Sequence, residues 1–93
     1  MTIVIFEDYF SNLMTVSQNQ AINGTIDNLY LLSGFNTDTR TTCLMQCNQN
    51  TQCYALVYWV NQTCKLYKQQ ALHYIVYDQN SQLLSIQRYF FLL

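Results

Sequence analysis

The chain has no proline and only two glycines, Gly24 and Gly34. Turns therefore fall to Asn, Asp, Ser and Thr, whose side chains bond to nearby backbone. Charge is scarce as well: four basic and five acidic side chains leave a formal net charge of -1. Nucleic-acid binding needs clustered Lys and Arg to neutralise phosphates, so that partner class is set aside. Anionic membranes are set aside on the same ground. No apolar run approaches the roughly 20 residues that cross a bilayer, which excludes membrane insertion by a helix. A nucleophile elbow, a phosphate-binding glycine loop and a metal-ligand cluster are all missing, and an enzyme is not expected. No cofactor is implied.

What the chain does have is aromatic residues, amides and sulfur. Eight Tyr, five Phe and one Trp argue for a folded core. At 93 residues that core belongs to a single domain spanning 1–93. Surface polarity comes mainly from Asn, Gln and Thr, so like chains repel one another little. All four cysteines fall in one stretch, Cys43, Cys47, Cys53 and Cys64. An even, clustered count in a small domain reads as a disulfide framework. Such staples matter most where a core is small.

Residues 3–10 are β-branched and aromatic and predict a strand. A weaker strand is predicted over 25–33, after the Asn23-Gly24 turn signal. Asp38 or Thr39 is positioned to cap a helix of about ten residues ending near Asn48 or Asn50. Cys43, Leu44 and Cys47 would share its buried stripe. Tyr54–Val60 is apolar throughout, as a central strand covered on both faces would be. Further strands are predicted at 64–68, 73–78 and 83–91, with turns at Asn61-Gln62 and Asp78–Ser81. The expected fold is α+β: one short helix on an antiparallel sheet of about five strands, stapled by disulfides.

Three pairings are open to four cysteines. Cys43 and Cys47, one helical turn apart, do not readily meet disulfide geometry. The loop after the helix suits Cys47–Cys53, and Cys43–Cys64 would then pin the helix to a strand. The alternative is an intracellular zinc module, but only the first pair has knuckle-like spacing. None of the four has an evident histidine partner for thiol catalysis.

The segment from about Ile26 to Tyr89 resembles the PAN/apple domain. The resemblance rests on Cys43-Leu44-Met45-Gln46-Cys47, on Cys53-Tyr54-Ala55-Leu56-Val57-Tyr58, on Cys64-Lys65-Leu66-Tyr67, and on the closing Ile86-Gln87-Arg88-Tyr89. It lacks the outer cysteine pair of apple domains and is similar to the plainer PAN form. Residues 1–24 stay unplaced. The resemblance implies the same two bridges, Cys43–Cys64 and Cys47–Cys53. It also implies an extracellular binding module for proteins or carbohydrates, with no shared catalytic residues.

Two N-glycosylation sequons, at Asn23 and Asn61, join the cysteines in favouring the secretory route. The start MTIVIFEDYF is not a signal peptide, since it lacks a basic region and carries Glu7 and Asp8. A mature fragment or a module of a longer protein is the expectation. His73, the sole histidine, reads as an ordinary strand residue. Lys65, Lys68 and Arg88 read as scattered solubilising charges.

If Leu56 and Tyr58 face the helix, as the resemblance implies, Ala55, Val57 and Trp59 face the other way, joined by Tyr67. Either the N-terminal segment folds back over them, or Val57, Trp59 and Tyr67 form a binding face for a partner or a sugar ring. The apolar ends raise a related question, since ends are usually polar and frayed. Ile3, Ile5, Phe90 and Phe91 are candidate association strands, able to pair within the domain or add to another copy's sheet. The sequence therefore predicts a secreted adhesion or structural module that binds other protein chains, including copies of itself. A monomeric lectin-like module, with glycan stacked on Trp59 beside Gln62 or Gln69, is the alternative.

Overall fold

The computed structural model describes residues 14–86. Five strands form one antiparallel sheet: β1 (Met14–Ile22), β2 (Leu31–Asn36), β3 (Ala55–Trp59), β4 (Thr63–Tyr67) and β5 (Ile75–Ile86). Their spatial order is β1-β5-β3-β4-β2, so β3 is central. The expected strand at 3–10 and the end of that at 83–91 lie outside the described residues. The architecture is a small compact α+β domain held by two disulfides, as the sequence predicts.

One face of the sheet carries a ten-residue helix, which we denote α2 (Arg40–Gln49). Thr39 caps it, its hydroxyl oxygen accepting the Thr42 N–H at 3.2 Å. This satisfies one of the free amides of the first turn. Cys43, Leu44 and Cys47 form the buried stripe, lying over Leu56, Leu66 and Leu84. Those three leucines are register partners across β4, β3 and β5, and so make one row beneath the helix. Cys43 is bridged to Cys64 on β4, and Cys47 to Cys53 just past the helix. No free cysteine remains, which leaves no thiolate set for the zinc alternative.

The opposite face is where expectation and structure part. Of the predicted strand 25–33 only 31–33 is strand, in β2; residues 24–30 form a 3-10 turn (Gly24–Ile26) and a one-turn helix α1 (Asp27–Tyr30). Asn23 starts it, its side-chain oxygen accepting the Thr25 N–H at 3.0 Å. Ile26 and Tyr30 then sit four residues apart and turn the same way, onto the sheet. A second 3-10 turn (Gln69–His73) brings Ala71 and Leu72 to the same layer. These two segments cover Ala55, Val57 and Tyr67. Cover thus comes from these two segments, and Ala21 and Ile22 of β1, from the stretch that the sequence left unplaced, join the same cluster.

The second correction concerns β5. The predicted strands 73–78 and 83–91, with a reversal at Asp78–Ser81, are one strand from Ile75 to Ile86 across the described residues. Asp78–Ser81 forms a bulge. Pairing with β1 steps from Gln18↔Gln82 to Gln20↔Tyr77, and the extra residues loop out between. Asp78 Oδ1 accepts the Asn80 N–H at 2.9 Å, and the Ser81 hydroxyl donates to the Gln20 carbonyl at 2.7 Å. The local bonding expected of a turn is present, but it bends the strand without reversing it. His73 falls in the 3-10 turn, not in a strand.

Candidate functional site

Two surface features outrank the rest, one around Trp59 and one along Tyr74–Tyr77. The first begins at Asp27 in α1. Its carboxylate accepts the Tyr67 hydroxyl and the Lys65 ammonium, both at 2.8 Å. Lys65 lies 5.8 Å from the centre of the Trp59 ring, within cation–π range. The Trp59 indole N–H donates to Asp78 Oδ2 at 2.8 Å. Side chains from α1, β3, β4 and the β5 bulge are thereby locked into one array around the sole tryptophan. The Asp27–Lys65 pair is partly exposed and contributes on its own no more than about 1 kcal/mol. Its larger effect is to fix where Lys65 and Tyr67 point.

The Asn80 amide, and after it the Trp59 indole N–H, hold the Asp78 carboxyl below the usual carboxylate range. Tyr67 shifts the other way. Burial first, then its bond to Asp27 and that residue's charge, push its phenol well above the ordinary tyrosine value. This has a measurable consequence. A raised folded value contributes stability that is complete below the unfolded pKa, about 10, and is lost as pH climbs toward the folded value. Above about pH 10 the unfolded chain releases the Tyr67 proton while the folded chain keeps it. Stability should then fall by up to about 1.4 kcal/mol per pH unit from this group alone. Denaturant titrations of the parent and Tyr67→Phe between pH 8 and 11 should therefore converge above about pH 10. Curves that stay parallel would show that Tyr67 ionises alike in both states.

Of the predicted face Val57, Trp59 and Tyr67, both Val57 and Tyr67 are 0% exposed beneath the helical cover. Only Trp59 keeps open surface. It borders a depression of about 180 Å³ shared with Asn61, Thr63 and Lys65. That is below the roughly 300–1,000 Å³ of small-molecule pockets. Gln62 is not among its lining residues, and Gln69 lines a different depression beside Tyr54 and Lys68. The lectin-like constellation of Trp59 with Gln69 is therefore not assembled. Among the described residues no three His, Cys, Asp or Glu side chains converge as metal ligands would. His73 is exposed, and Glu7, Asp8 and Arg88 lie outside the described residues.

The second feature was not singled out from the sequence. β3 ends at Trp59, opposite Ser81, so β5 runs on past it. Ile75, Val76 and Tyr77 pair with Ile22, Ala21 and Gln20 of β1 and, among the described residues, have no register partner on the β3 side. Tyr74, Ile75, Val76 and Tyr77 are all exposed, Tyr77 at 74%. The available signal was the unbroken apolar run at 74–77. A strand with one dry face alternates, and this one does not. The candidate association residues Ile3, Ile5, Phe90 and Phe91 lie outside the described residues.

One helix bridged to an antiparallel sheet by Cys43–Cys64 and closed at its end by Cys47–Cys53, with shallow depressions among the described residues, defines a small disulfide-stapled α+β domain. The family model described as PAN-like domain matches residues 20–83, and the chain belongs to that family. PAN domains are generally non-catalytic modules that bind proteins or carbohydrates, and with disulfides they are typically extracellular. No curated protein matches the chain. Among the described residues no helix is long and apolar enough to cross a membrane.

Proposed function

We propose that this chain is a non-catalytic extracellular adhesion or structural module that associates with other copies of itself by strand addition. The observation that carries the reading is the overhang of β5. An exposed apolar row stands there beside a strand edge with no partner among the described residues. Such edges are templates for another strand unless they are covered or charged. Ile75, Val76 and Tyr77 carry no charge. The strand supplied would be an end segment of a second copy, around Ile3 and Ile5 or around Phe90 and Phe91. Both segments are rich in β-branched or aromatic residues, and a net charge of -1 opposes their approach little.

Sedimentation velocity of the full chain over a concentration series tests this. The expected result is reversible growth in mass. The double change Ile75→Lys and Tyr77→Lys should weaken association at least tenfold by placing like charges along the edge. Its melting temperature should stay near the parent's, because both side chains are exposed. A strict monomer at every concentration would refute self-association. Equal association by the double variant would move the interface away from β5.

A further inference from the structure

The β3–β4 hairpin pairs a sequon with the only tryptophan. We infer that Asn61 carries an N-linked glycan whose first sugar lies on the Trp59 ring and fills the depression beside it. The inference assumes the secretory routing above and is independent of the β5 edge.

The geometry is set by the hairpin. The Gln62 N–H donates to the Trp59 carbonyl at 2.9 Å, closing a turn over Trp59–Gln62. Gln62 then takes the left-handed conformation, φ 72°, and returns the chain to β4. A turn followed by one left-handed residue is a common three-residue hairpin connection. Its effect is to bring positions two before and two after Asn61 opposite each other. The register Tyr58↔Cys64 puts Trp59 across from Thr63, the hydroxyl residue of the sequon. Alternation along both strands places Trp59, Thr63 and Lys65 on one face, and Asn61 stands at its tip. All four line the same depression. Asn61 is exposed, and its Oδ1 accepts the Thr63 N–H at 3.2 Å, which holds the side chain on this face with the amide nitrogen left for linkage.

The depression is too small for a free ligand to be held well, yet a sugar tethered at its rim loses no translational freedom by settling there. The apolar face of N-acetylglucosamine matches an indole ring, and its hydroxyls match Thr63 and Lys65. The ring is already clamped by Asp78 and Lys65, so little ordering is left to do. Asn23 differs. It is half-buried, and its backbone N–H is bonded to the Tyr74 carbonyl at 2.8 Å. A glycan on Asn61 would close the Trp59 surface to outside ligands and leave the β5 edge open.

The full chain should be secreted from yeast or insect cells behind an added leader, mapped by mass spectrometry, and trimmed to single N-acetylglucosamine stubs. Asn61→Gln, trimmed alike, is the comparison, so anything carried by Asn23 cancels. Asn61 is expected to be occupied, and its stub to raise the melting temperature by roughly 4 °C. Trp59→Ala should abolish that gain. Should Trp59→Ala fail to fold, the lone tryptophan supplies a second readout. Acrylamide quenching of its fluorescence should be about twofold weaker in the trimmed parent than in Asn61→Gln. An unmodified Asn61 in secreted, oxidised protein, or equal quenching in the two proteins, overturns the inference. Neither result bears on association through β5, which sedimentation reads separately.

Discussion

Replacing Cys43 and Cys64 together with alanine should cost about 3–5 kcal/mol of folding stability, read as a lower urea midpoint. The bridge closes a separation of 21 residues, for which loop-closure entropy alone gives about 3 kcal/mol. Both cysteines are 0% exposed, so removing the sulfurs also leaves a gap between helix and sheet. The same change at Cys47 and Cys53, separated by 6, should cost about 2 kcal/mol. The order matters as much as the size. Cys43–Cys64 ties α2 to β4, whereas Cys47–Cys53 only shapes the end of the helix. A domain this small holds on the order of 5–15 kcal/mol in all, so the first variant should populate the unfolded state at body temperature. A loss under about 1 kcal/mol would mean that the core holds the helix without sulfur.

That dependence also explains why the helical half was legible from sequence and the other half was not. Thr39 as cap, the Cys43–Leu44–Cys47 stripe and the central β3 all follow from local rules, and each is found. The cover over Val57 and Tyr67 follows from no local rule. Its key residues, Ile26 and Tyr30, lie in the run Ile-Asp-Asn-Leu-Tyr-Leu-Leu, which suits a strand nearly as well as a helical turn. The bulge at Asp78–Ser81 uses the side-chain bonds of a turn. What selects the bulge is the Gln20 carbonyl, 61 residues away in sequence. Alternation correctly put Val57, Trp59 and Tyr67 on one face, but period two cannot tell which members of a face lie under cover. The exposed row at Ile75–Tyr77 is likewise a matter of lengths. It exists because β3 stops at Trp59 while β5 continues.

Leu56→Ala is the second large effect, and its size should depend on the bridges. Leu56 lies in the leucine row between Leu66 and Leu84, under Cys43, Leu44 and Cys47, and is 0% exposed. Truncating a buried leucine costs about 2.7–5 kcal/mol, the spread reflecting how far the surroundings collapse into the hole. Here collapse is blocked on both sides. The sheet below is tied by its ladder, and the helix above is held to it by Cys43–Cys64. The cost should therefore sit near the top of the range, about 4 kcal/mol. In a background lacking Cys43–Cys64 the helix is free to settle toward the sheet, and the same truncation should cost about 1 kcal/mol less. A double-mutant cycle by urea unfolding measures that difference, in a stabilising co-solvent if the doubly altered chain requires one. Additivity within about 0.5 kcal/mol would show that the bridge does not brace the core, and that the helix keeps its height above the sheet through packing alone.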